Sequence, residues 1–240
     1  MTSPALKRRI LGIVAQFEGS ANGRINTYDG QLLSVGSIHY ALLSGSCYTF
    51  LVRIAQLDAP GFTRCLGDAF LAAVRAGRGP LIQWVNANVT RPSNANRATL
   101  NTWQTRFTAL SRLPAYATAD AECAQPYFQT AERICARYKL TTERALAWAF
   151  DRAVQQGGRI RPEVDGAYRA CTPLTPEYNV MKALSYGYAD SANPRWRSNV
   201  LNRALAMSLG GSDNAGVRPN GVTFNLEDAG FSYARPWDSP

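Results

Sequence analysis

No stretch of this sequence approaches the ~18 consecutive apolar residues that a membrane span requires. AFLAAV (69–74) is about the longest such run, so no membrane-spanning segment is expected. Histidine occurs once, as His39, and the five cysteines (47, 65, 123, 135, 171) form no CxxC pair. Without a His/Cys cluster, neither a metal site nor a bound cofactor is expected. The odd count leaves at least one free thiol; buried free cysteines are the default, and one or two disulfides stay open. There is no G-x-S-x-G, which argues against a triad hydrolase. Gly77-Arg78-Gly79 matches neither a P-loop nor a dinucleotide fingerprint. Acidic residues are scarce: 17 Asp and Glu stand against 26 Lys and Arg, a net charge of +9. That field attracts polyanions such as nucleic acid, acidic lipid or an anionic bacterial wall, and disfavours a cationic polysaccharide. The basic residues are dispersed, with no run of five, so a disordered nucleic-acid arm and specific nucleic-acid binding are not expected.

With 46% apolar and 18% charged residues over 240 positions, the chain reads as one large domain or two small lobes around a cleft. The N-terminus places basic residues before an apolar stretch, but Gln16 and Glu18 interrupt it too soon for a secretory h-region. Residues 5–18 are read instead as an amphipathic helix behind Pro4, with Leu6, Ile10, Ile13, Val14 and Phe17 at helical spacing. Export would then use a route that leaves no cleaved leader.

Residues 20–40 are rich in Gly, Asn, Ser and Thr and suit a loop with a short β-hairpin. Phe50, Leu51, Ile54 and Leu57 mark a helix that Ala59-Pro60-Gly61 ends, and Leu66, Phe70 and Val74 mark the next. Residues 81–89 suit a short helix, and Leu100, Trp103, Phe107 and Leu110 another, stopped by Pro114. Residues 119–138 read as a long helix that Pro126 kinks or breaks. Thr141 or Thr142 caps the next, which Gly157-Gly158 closes. A Pro-rich loop (162–176) precedes helices around 177–188 and 194–209, and the last 30 residues suit a packed tail. The expected class is mainly α with a small β-hairpin.

The chemistry concentrates in FEGSANGRINTYDGQLLSVGSIHYALLSG (17–45). Glu18 falls on the final turn of the first helix, facing the negative end of the macrodipole beside Phe17; both surroundings penalise a charged carboxylate, as a general acid requires. A helix-end Glu in water, or one paired with Arg24, is the plainer alternative. Asp29-Gly30 is a turn signature in its own right. Taken with Glu18 and Ser34, it offers an acid and a base across a gap, with Ser34 placed to hold water; paired carboxylates are the minimum apparatus for hydrolysing a glycosidic bond. His39 is read as a structural histidine near that gap, or a titrating group.

DGQLLSVGSIHYALLSG (29–45) resembles a segment of bacterial chitosanases of the lysozyme superfamily: an Asp-Gly turn, a hydroxyl residue, a Gly, and a later Ser-Gly pair. ALAWAFDRAVQQGG (145–158) and, more loosely, the Arg-rich helix 195–209 extend the likeness. The resemblance implies a lysozyme-like, two-lobed α+β fold with a cleft, formed by a single catalytic domain: catalytic segment 5–45, helical lobe 46–210, packed tail 211–240. It implies Glu18 as general acid, Asp29 as general base and Ser34 positioning water, with Asp151 and Arg197 or Arg203 in a supporting network that reaches the acid. Tyr28, His39, Tyr40 and Gln155 are the expected sugar contacts. The Glu18–Asp29 spacing is shorter than in typical chitosanases, and Leu32 and Leu33 stand where Gly and an aromatic are usual. Relatives of this pattern accompany phage and secretion-system parts, where it looks like a peptidoglycan-cleaving domain.

The +9 charge favours that anionic wall over chitosan. The leading expectation is a muramidase-like, inverting glycosidase acting at the cell wall or periplasm, delivered by phage lysis or a secretion machine, with an immunity or delivery protein as a further partner. A chitosanase using the same carboxylates is the runner-up, and a non-catalytic binding module the third reading.

Overall fold

The computed structural model describes residues 2–19, 23–209, 216–217, 223–224, 231 and 234–238. It is mainly helical, with a small antiparallel sheet near the N-terminus. The chain divides into two compact units, one of residues 11–125 and one of residues 1–10 with 126–240.

In the unit of residues 11–125, helix α1 (Pro4–Glu18) contributes its second half. The short strands β1 (Ser34–Val35) and β2 (Tyr40–Ala41) pair Ser34 with Ala41 and Val35 with Tyr40. Beyond them run α2 (Ser46–Leu57), α3 (Ala59–Leu66), α4 (Asp68–Ala76) and α5 (Arg78–Val85). A π-helical turn (Asn86–Thr90) continues into α6 (Arg91–Ala95), followed by α7 (Arg97–Ser111) and α8 (Pro114–Cys123). Leu66 and Val74 were expected in one helix; Gly67, at φ +93°, breaks it, because only glycine adopts that backbone cheaply. Ala59-Pro60-Gly61 does more than end α2. Pro60 opens α3, where the missing N–H costs nothing, and Asp58 caps it by accepting from the Gly61 amide at 2.8 Å. The Arg91–Ala95 stretch is likewise helical, with Pro92 in its first turn. The core is aromatic. Phe70 meets Phe62, Trp84, Trp103 and Phe107, and the hairpin joins through Tyr40 on Phe50 at 4.8 Å and Phe50 on Tyr116 at 4.9 Å.

In the other unit α9 (Gln125–Tyr138) starts at the break that Pro126 imposes, and α10 (Glu143–Gln156) is its central helix. Thr142 caps α10 by accepting from the Ala145 amide, and Gly157 at φ +66° ends it. Residues Glu143 to Ala153 of α10 are all buried, so the helix is enclosed on every side by α12 (Glu177–Asp190), α13 (Arg197–Leu209) and their neighbours. The Pro-rich stretch expected as a loop holds α11 (Pro162–Arg169). Pro162 suits a first helical turn, and Glu163 and Asp165 complement the dipole there. Of the expected tail, Phe231 is buried and the backbone near Pro236 pairs with Thr142. Gly216–Val217 pairs antiparallel with Thr223–Phe224, and residues 211–215, 218–222, 225–230, 232–233 and 239–240 lie outside the described residues. All five cysteines are free; Cys47 and Cys135 are buried, the others half-exposed.

Candidate active site

The loop carrying Asp29 is a short arc clamped at both ends. Asn26 exchanges two backbone hydrogen bonds with Ser34, at 3.0 and 2.8 Å. At its start, the Thr27 hydroxyl donates to Asn94 Oδ1 at 2.8 Å, and Asn94 Nδ2 donates back to the Thr27 carbonyl at 3.1 Å. At its end, Leu32 stands at φ +64° and its carbonyl accepts from the Thr90 hydroxyl at 2.6 Å. A branched residue in that region is strained, and persists only where surrounding bonds over-determine it. Thr90 closes the π-helical turn and Asn94 lies in α6, so one helical stretch fixes the arc. Neither residue stands out in the sequence, where both lie in a short polar run.

Within the arc, Asp29 is exposed and held by two bonds. Its Oδ1 accepts from the Gln31 amide at 2.9 Å, an Asx turn, and its Oδ2 accepts from the Ser34 hydroxyl at 2.8 Å. Ser34 is only 1% exposed and lies in β1, so its hydroxyl is a rigid support for the carboxylate. Tyr28, next to Asp29, is 78% exposed.

Glu18 ends α1, with Gly19 at φ +66° turning the chain away. Its Oε2 lies 3.6 Å from His39 Nδ1, with the two side chains 19% and 20% exposed. His39 sits in the β1–β2 turn at φ +52°, immediately before Tyr40. The sequence offered Arg24 as the alternative partner; the structure pairs Glu18 with His39. One hairpin therefore touches both carboxylates, through Ser34 on one strand and His39 at the turn.

The hairpin is anchored from below by Asp120 of α8. Its Oδ1 accepts from the Ser37 amide at 3.3 Å and its Oδ2 from the Ser37 hydroxyl. Burial pushes the Asp120 carboxyl above its ordinary range, only partly opposed by these bonds. Tyr40, expected as a sugar contact, belongs to this anchor instead. It is 2% exposed, its ring packs on Phe50 and its hydroxyl donates to the Asp120 carbonyl at 3.0 Å. The alternation of the hairpin turns Tyr40 inward.

The remaining expected residues lie in the other unit. Asp151 is fully buried in α10 and accepts from Arg152 and, in fork geometry, from Arg203, whose Nε reaches Oδ1 at 2.8 Å. Burial raises the Asp151 carboxyl, but the two guanidiniums outweigh it and hold the group below the ordinary carboxylate range. Arg197, the other expected partner, is the first residue of α13 and instead pairs with Asp190 on the surface. Gln155 donates to Asn199 Oδ1 at 3.2 Å at the edge of a pocket lined from α10 and the segment leading into α13. Among the described residues no group of three or more His, Cys, Asp or Glu side chains is placed to hold a metal ion. The chain matches no protein-family model, no curated protein and no solved structure.

Proposed function

We propose that the protein is a glycoside hydrolase of bacterial peptidoglycan, with a lysozyme-like arrangement in which Glu18 is the general acid and Asp29 the general base. The observation that carries this reading is the hairpin that contacts both carboxylates, Ser34 on Asp29 and His39 on Glu18. An inverting glycosidase sets its two carboxyls ~6.5–9.5 Å apart, which leaves room for one water. In the reaction Asp29 takes a proton from that water as its oxygen attacks the anomeric carbon. Glu18 gives its proton to the departing glycosidic oxygen as the carbon–oxygen bond breaks. Ser34 holds the Asp29 carboxylate in one orientation, so little reorganisation is needed at the moment of attack. Tyr28 presents an exposed ring beside the base, available to stack on a sugar face. The +9 charge favours a carboxylate-bearing wall polymer over polycationic chitosan.

The test is digestion of purified cell walls by wild type and Glu18→Gln, with mass spectrometry of the fragments. The expected result is glycan fragments with new reducing ends from wild type, and a loss of about 10²–10⁴-fold in the variant. Equal activity of the variant refutes the assignment of Glu18. Reducing ends from chitosan with intact walls would move the substrate to chitosan. Wall binding without cleavage by either protein would leave a binding module.

A further inference from the structure

The pocket beside Gln155 has a volume of about 660 Å³ and is built within one unit, at the C-terminal end of α10. Two arginines, Arg159 and Arg161, line it, and no Asp or Glu does. Neither arginine makes an ion pair among the described residues, and the nearby carboxylate of Asp190 is already engaged by Arg197. Trp196 forms another part of the lining and is 55% exposed, with the Arg195 guanidinium 5.0 Å from its ring centre. Asn193 and Asn199 bring amide groups to the lining. Gln155 Oε1 is buried there with no hydrogen-bond partner. A buried acceptor left unsatisfied is unfavourable, and a ligand hydroxyl or N–H would satisfy it.

The base of the pocket is rigid. Gln156 accepts from Arg152 at 3.3 Å and donates to the Tyr188 carbonyl at 3.2 Å, which ties the lining to the buried Asp151–Arg152–Arg203 cluster. Gln156 is thereby fixed in the lining before any ligand arrives.

We propose that this pocket is a binding site for an acidic saccharide. The unpaired guanidiniums of Arg159 and Arg161 take its carboxylate, the Trp196 ring takes the apolar face of a sugar, and Gln155 and Asn199 take hydroxyl or acetamido groups. Each recognition element matches one part of such a ligand. Cations without competing carboxylates select a negative charge. Paired side-chain amides, one with a spare acceptor and one with spare donors, suit neighbouring sugar substituents. A neutral saccharide would leave both arginines unused, and a simple inorganic anion would leave Trp196 and the amides unused. The assignment does not depend on Glu18 or Asp29, which belong to the other unit.

Titration calorimetry tests it directly, using the N-acetylglucosaminyl–N-acetylmuramic acid disaccharide as probe and the neutral N-acetylglucosamine disaccharide, adenosine monophosphate and inorganic phosphate as comparators. The acidic disaccharide is expected to bind at least tenfold more tightly than each comparator. Arg159→Gln with Arg161→Gln should weaken it tenfold or more, and Trp196→Ala should do the same. These side chains are exposed, so the melting temperature should stay within about 2 °C of wild type and a loss of binding reports the site. Equal affinity for the neutral disaccharide, unchanged affinity in the arginine variant, or no binding of the acidic probe would overturn the proposal. Tighter binding of adenosine monophosphate would overturn it in favour of a nucleotide site. Because the readout is binding and not turnover, loss of this site and loss of the Glu18 assignment are told apart.

Discussion

Replacing Arg203 by Met isolates one electrostatic contact with a calculable consequence. Asp151 is fully buried, and Arg203 supplies a forked pair of hydrogen bonds to it from α13. Methionine keeps the apolar stem and removes the charge. Breaking a buried pair by removing one partner costs about 3–5 kcal/mol, since a desolvated charge is left behind. Arg152 remains beside Asp151 and is equally buried, so the cost should fall near the lower figure, about 3 kcal/mol. For a chain of this size that is a fall in melting temperature of about 6–12 °C. Acid gives the sign. In the wild type, Asp151 titrates below its unfolded value, so its contribution is present above the ordinary carboxylate range and is lost as pH falls through the depressed folded value. In the variant, burial has less opposing it, so Asp151 takes up its proton at higher pH and the uncompensated charge disappears sooner. The gap between the two proteins should therefore be widest near pH 7 and narrow toward pH 4. Calorimetric scans at both pH values measure it. A fall below about 2 °C at pH 7, or a gap that widens in acid, would refute the reasoning.

Asp120→Asn should behave in the opposite way. Burial raises the folded value of Asp120, so its favourable contribution is full below the ordinary carboxylate range and fades as pH rises through that folded value. The asparagine should flatten the dependence, with a melting temperature equal to or above wild type at pH 7 and below it at pH 4. Gly36→Ala should cost about 2 kcal/mol or more, because the position is at φ +89° and a Cβ would lie 2.3 Å from the Tyr40 ring. Gly12→Ala, on an exposed turn of α1 with nothing within 4 Å, should instead stabilise by about 0.5–1 kcal/mol. Urea midpoints of the two glycine variants check both signs in one series.

Helix positions were legible from local chemistry wherever a cap or an apolar stripe acted alone. Pro4, Pro126, Thr142 and Gly157 mark real boundaries because each constrains its own backbone or its immediate neighbours. The stretch 66–74 was misread because one glycine in a left-handed conformation outweighs an apolar periodicity that runs straight through it. The stretch 162–169 was misread because proline tolerates a first helical turn as readily as a loop. The Asp29–Ser34 pair was legible in part, since a spacing of five across a tight turn brings a hydroxyl back onto a carboxylate within one strand pairing.

The sequence by itself determined a helical chain with one short hairpin, a strongly basic surface and a carboxylate placed at the exit of the first helix. Those properties depend on residue type and on separations of a few positions, which local sterics and hydrogen bonding translate directly. Only the tertiary structure decided that His39 is the neighbour of Glu18, that Asn94 and Thr90 clamp the Asp29 loop, that Tyr40 turns inward, and that Arg203 and not Arg197 meets Asp151. Most of these contacts join residues some 20 to 70 positions apart, and which arginine of α13 meets Asp151 depends on how that helix is rotated and placed against α10. That choice belongs to packing, where a rotation of about 100° per residue reassigns a side chain from solvent to partner.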